Sequence, residues 1–130
     1  MEYTAKQFTP QLEKHIHKVE RSMQELLKSI YEQYKEAFEK KGMEISVDVI
    51  REGENPFHPG YHATIQVGIL EKDEFLDGLF IPIWHCVRTF LGIRSSKKLP
   101  GSKITGELME ETEEEITKEV VAYLDMQLED

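Results

Sequence analysis

The sequence predicts an α+β protein: an antiparallel sheet of three to four strands with a long N-terminal helix and a C-terminal helix packed on one face. Three observations carry this. Apolar residues recur at helical spacing over residues 10–41. Apolar and polar residues alternate strictly over 43–51 and 61–70. Helical spacing then returns over 104–128. With a third strand at 79–88 and a basic loop at 89–103, the 130 residues fit one domain, 1–130.

The first helix is the strongest element. Leu12, Ile16, Val19, Met23, Leu26 and Ile30 form a narrow stripe, which Leu27, Tyr31, Tyr34 and Phe38 widen in the second half. Thr9 stands at the N-cap and Pro10 at the first helical position, where a missing N–H costs nothing. Lys40 and Lys41 suit the negative helix end, and Gly42 can take the left-handed conformation that closes it. A helix over 10–41 would run roughly 48 Å, whereas a compact globule of this size is roughly 35 Å across. The expectation is a kink or an overhang, the overhang being covered by the last helix, by a second copy or by another protein.

Ile45, Val47 and Val49 alternate with Glu44, Ser46 and Asp48 in the first strand. Residues 52–60, rich in glycine and proline, form a loop. In the second strand Tyr61, Ala63, Ile65, Val67 and Ile69 share one face, with His62, Thr64 and Gln66 on the other. Residues 71–74 read as a turn, although Asp77-Gly78 is also a hairpin signal and a short extra strand at 74–76 is the alternative. The third strand is apolar on both faces, with Phe80, Trp84 and Cys86 on one of them. Its Pro82 marks an edge or a bulge. Residues 1–9 form a lead-in or an extra strand. Thr105 is the expected cap of the second helix, with Glu107, Glu110 and Glu111 near its positive end.

Charge excludes some classes of function. The chain carries 25 acidic residues against 16 Lys and Arg, net −9. Such a surface repels phosphate backbones and anionic lipid on average, so neither nucleic acid nor membrane is an expected partner. The N-terminus has no basic-then-apolar leader pattern and the longest apolar run is far too short to span a bilayer, so the expected location is cytoplasmic. Charge is also segregated. Residues 88–103 hold Arg88, Arg94, Lys97, Lys98 and Lys103 with no acid, whereas 107–130 are strongly acidic with Lys118 as the only base.

Catalytic patterns are missing. Cys86 is the single cysteine, so no internal disulfide forms, and its neighbour His85 should point to the opposite face. The five histidines lack metal-ligand spacing, and no catalytic residue, metal or cofactor is assigned. Asp48, Glu54, His58 and His62 are the only loose acid-base set. Ser95 and Ser96 lie in no nucleophile elbow.

Two readings remain. The first is a non-enzymatic acidic binding protein, an inhibitor or immunity-type module or a dimeric adaptor. It would meet a basic protein partner through Glu110, Glu111, Glu113, Glu114 and Glu115, or a second copy through the long helix. The second is a small-molecule or anion site, enzymatic or not, on the open sheet face. Its candidate residues are His62, Trp84, Arg88, Arg94, Lys97 and Lys98.

Overall fold

The computed structural model describes residues 1–95 and 97–129; Ser96 and Asp130 lie outside the described residues. The chain is α+β, with strands β1 (Glu2–Thr4), β2 (Glu44–Glu52), β3 (His62–Glu71), β4 (Glu74–Phe90), β5 (Ile93–Arg94) and β6 (Lys103–Leu108). Two helices accompany them, α1 (Pro10–Glu39) and α2 (Glu113–Glu129), with one 3₁₀ turn at Ala5–Gln7. The sheet has six strands rather than three or four, in the order β1-β6-β4-β3-β2, and β5 pairs with β4. The residues group into two compact units. One comprises Met1–Glu20, Ile50–Thr64 and Pro82–Glu110; the other comprises Arg21–Val49, Ile65–Ile81 and Glu111–Asp130.

Helix α1 begins and ends as its sequence dictates. The Thr9 hydroxyl accepts from the Leu12 amide at 3.2 Å. At the other end Gly42 has φ 77°. There the Met43 amide reaches Phe38 O and the Gly42 amide reaches Glu39 O, both at 2.9 Å, the paired bonds of a Schellman cap. Its apolar stripe is buried from Leu12 to Phe38 within the chain itself. The buried line runs Leu12, Ile16, Glu20, Met23, Leu27, Ile30, Phe38, with Val19 and Leu26 only half-buried. Glu20 thus occupies a core position.

In the first unit the core is aromatic. Trp84 is fully buried. Tyr3, Phe8 and Phe57 surround it with ring centroids 5.9–6.3 Å away, and its indole N–H donates to Pro56 O at 2.8 Å. The indole lies directly over Gly106 on β6, so closely that a Cβ there would fall inside the ring. This explains the largest departure from expectation, the strand at 103–108 in place of helix. Ile104, Thr105 and Gly106 are poor helix formers, and a strand places Gly106 opposite Cys86. Helix α2 starts later, at a capping box. The Thr112 hydroxyl accepts from the Glu115 amide, and a Glu115 carboxylate oxygen accepts from the Thr112 amide, both at 3.2 Å. Thr112 is the cap, not Thr105.

The second unit packs Met23, Leu27, Ile30 and Phe38 of α1, Ile45 and Val49 of β2, Ile65, Val67 and Ile69 of β3, and Ile116, Val120 and Leu124 of α2. The Tyr34 phenol donates to Asp125 at 2.8 Å, and Tyr123 to Asp77 at 2.9 Å. Lys41 caps α2 through Leu128 O.

The hairpin signal at Asp77-Gly78 is not used. Lys72 and Asp73 make the turn, with φ 52° and 66°, the double left-handed geometry of a tight hairpin. Residues 74–76 are the start of one 17-residue strand, β4. Leu91 and Gly92, φ 53° and 79°, make a second such turn, so the expected basic loop at 89–103 contains a small hairpin. Within β4 the buried positions are 81, 83, 84 and 86. The alternation slips by one residue at Ile83–Trp84, just after exposed Pro82, as a bulge requires.

Replacing Gly106 with alanine drives a methyl group into a rigid buried ring. Denaturant unfolding should show a loss of about 1–3 kcal/mol, typical of overpacking. An unchanged midpoint would mean that Trp84 does not lie over Gly106.

Candidate functional site

Glu20 is the one buried charged residue among the described residues. The Tyr61 phenol donates to its Oε2 at 2.6 Å. His17 Nδ1 lies 3.0 Å and Arg51 Nη1 3.6 Å from its Oε1. A bulge delivers Tyr61: the Gly60 amide donates to Cys86 O, the Cys86 amide donates to Tyr61 O, and Gly60 has φ 100°. Burial, then the bond to Glu20, pushes the Tyr61 phenol well above its usual range. Both carboxylate oxygens of Glu20 thus have partners within the chain. Glu20 is legible in the sequence, four residues after Ile16 and three before Met23, inside the stripe.

The open face of the first unit carries a different set. His62 Nε2 is 2.7 Å from Glu52, and His85 Nε2 is 3.6 Å from Glu107, its direct cross-strand partner. Burial, chiefly, lowers the His85 pKa; Glu107 opposes this, while Arg94 and His62 add to it. Trp84 does not belong to this face, so the expected grouping of His62, Trp84 and Arg88 does not form. The phase slip in β4 turns the indole into the core. Cys86 is buried and its thiol is pushed up to about 11 by that burial, which rules it out as a nucleophile at neutral pH. Of the loose acid-base set, Asp48 accepts from the Val49 amide at 2.7 Å. His62 takes Glu52 as its partner. No group of three His, Cys, Asp or Glu among the described residues is arranged to hold a metal ion.

Arg88 lies between two shallow cavities. One, of about 380 Å³, is lined by Gly60, Arg88, Arg94 and Ser95 among others. The other, of about 550 Å³, is lined by Thr4, Lys6, Arg88, Ser102, Lys103 and Thr105 among others. Arg88 Nη1 donates to Ser102 Oγ at 3.3 Å. Lys97 and Lys98 are exposed and line neither cavity.

The acidic run is largely engaged. Glu110 pairs with the Met1 amine at 3.1 Å, Glu114 with Lys118 at 3.6 Å, and Glu115 completes the capping box. A hydrogen bond with Glu119 holds the Glu111 carboxyl above its ordinary range. Glu113, Glu114 and Glu115 sit in the first turn of α2, where the helix dipole favours them.

In the second unit, β4 presents an unpaired edge. β6 pairs with Trp84–Thr89, so Glu74–Ile81 has a strand on one side only. Phe75, Leu76 and Phe80 are 50%, 49% and 56% exposed there. Phe75 and Phe80 close over Gly78, where a Cβ would meet them at 2.6 and 3.2 Å. Asp77 is held by Tyr123 and by Gln127 Nε2 at 3.0 Å. Sequence alternation alone hides this edge, because the missing neighbour depends on how short β6 is.

Comparison with protein families, curated proteins and solved structures returns no match to this chain.

Because Arg94 lowers and Glu107 raises the His85 pKa, Arg94→Gln should move the His85 titration upward and Glu107→Gln downward. Imidazole NMR shifts followed against pH measure both. With the folded value depressed below that of the unfolded chain, His85 contributes stability above pH ~6.5 that is lost as pH falls through its folded pKa. A titration indifferent to both substitutions would separate His85 from these two side chains.

Proposed function

We propose that this chain is a non-enzymatic binding protein whose partner is an extended basic segment of another protein, added as a strand to the free edge of β4. The observation that carries this reading is the Glu74–Ile81 edge, with its exposed Phe75, Leu76 and Phe80. A row of unpaired backbone groups beside exposed apolar side chains is the template that strand addition uses. Main-chain bonds supply the affinity and the aromatic rings supply pockets for alternate side chains. Pro82 has no N–H to offer, so the usable ladder is Glu74–Ile81.

Charge selects the partner. Residues 71–77, which include the start of this edge, hold Glu71, Asp73, Glu74 and Asp77 against Lys72 alone. A basic strand is attracted there, and a second acidic copy is repelled. The acidic run at Glu110, Glu111, Glu113, Glu114 and Glu115 adds to the long-range field that draws a basic partner in. This retains the inhibitor or adaptor reading and places its contact surface on the sheet rather than on the helices.

A defined peptide tests this. A soluble peptide of alternating threonine and lysine should bind with salt-sensitive affinity, at least about tenfold tighter than its threonine–glutamate counterpart. Phe80→Lys in the protein, or a central proline in the peptide, should abolish binding as read by fluorescence anisotropy. Equal binding of both peptides contradicts the reading. So does a dimer in sedimentation equilibrium that Phe80→Lys dissolves, since a second copy would then be the occupant.

A further inference from the structure

We infer that the tip of the β4–β5 hairpin docks the protein on an anionic lipid bilayer, with Leu91 and Ile93 entering the apolar layer and nearby Lys and Arg side chains meeting the lipid phosphates. The first ground is exposure. Among the described residues Leu91 and Ile93 are the two most exposed large apolar side chains, at 85% and 73%. They stand two positions apart at one turn, and Leu99, also exposed, follows in the same segment. Exposed apolar side chains are ordinary when single, whereas several at one hairpin turn form a contact surface.

The second ground is the turn itself. Leu91 and Gly92 hold the double left-handed geometry. Leucine takes that conformation at a cost which asparagine, aspartate or glycine largely avoids. The other tight turn of the chain carries polar Lys72 and Asp73 in the same geometry. Forming a turn therefore does not account for a leucine at position 91, and a contact outside the chain does.

The third ground is charge. No acid occurs between Arg88 and Lys103. Thr89 pairs with Arg94 on one side and Lys103 on the other, so those two cations share a sheet face; Arg88, one residue along β4, takes the opposite face with Phe90 and Ile93. Cations on both faces do not converge on one small ion, but they suit a tip that enters a charged surface end-on. Lys97 and Lys98 are exposed just beyond β5. The acidity of the chain is concentrated elsewhere. The unit that contains the tip holds nine Lys and Arg against seven Asp and Glu, and the other unit seven against eighteen. The repulsion of anionic lipid expected from the whole-chain average thus arises from the second unit, and salt screens it beyond about 10 Å. At the tip, apolar insertion and attraction of cations to the lipid surface act together.

The test is sedimentation of the full chain with lipid vesicles, of phosphatidylcholine alone and of phosphatidylcholine with about one-third phosphatidylserine, at low and at high salt. The chain should bind the anionic vesicles at least about tenfold more tightly than the neutral ones, and high salt should weaken that binding. Leu91→Gly combined with Ile93→Thr should weaken it by about tenfold or more, as expected when apolar insertion is lost. Glycine takes the conformation at position 91 freely, so the turn is kept in that variant. Lys97→Gln combined with Lys98→Gln should weaken binding several-fold. Met126→Ser, which removes an exposed apolar side chain outside the tip, should change nothing. Absence of binding to either vesicle, equal binding to both, or binding unchanged by the Leu91→Gly and Ile93→Thr pair overturns the assignment.

Discussion

The length mismatch between β4 and β6 governs this structure. β4 extends for 17 residues, whereas β6 has six and pairs with six of them. Backbone N–H and C=O groups require partners or water, so the remainder of that edge must face solvent or be completed by another chain. The mismatch has local causes. Gly106 and Leu108 must lie beside Cys86 and Trp84 for the indole to cover a glycine. Beyond Leu108 the chain makes one more backbone bond, from the Met109 amide to Ile83 O, and then turns to the Thr112 cap of α2. The position of that capping box sets where pairing stops.

Charge follows the same economy. The acids with fixed roles sit where the backbone calls for them: Glu115 in a cap, Glu113 and Glu114 in a first helical turn, Glu20 between a phenol, an imidazole and a guanidinium. Glu20 shows how a core carboxylate is tolerated. Removing a buried charge from water costs several kcal/mol, and three donors offset that cost. The edge of β4 over Glu74–Ile81 has no strand partner on its second side.

Much of the fold was legible in the residues. Thr9, Pro10 and Gly42 bounded α1, and period-two alternation located β2 and β3, because these signals are local. The second half was less legible. Ile104, Leu108, Thr112 and Ile116 keep helical spacing across a strand and a turn, so the pattern misled; Gly106 and the Thr112–Glu115 pair were the contrary signals. Trp84 read as one face of an exposed strand because a bulge at Ile83–Trp84 shifts the alternation, and a bulge leaves little trace in sequence beyond Pro82. Of the candidate sites, the basic cluster was visible as a run of cations without acids. The β4 edge was not, since no residue records the absence of a neighbour.

Amide hydrogen exchange measures the central claim directly. In Glu74–Ile81, every second amide should be protected through β3, and the alternate ones should exchange at rates close to those of exposed loops. Phe75, Leu76 and Phe80 would then flank an available ladder. Uniform slow exchange along all eight residues in the monomer would show the edge already paired, and the account of partner binding would fail.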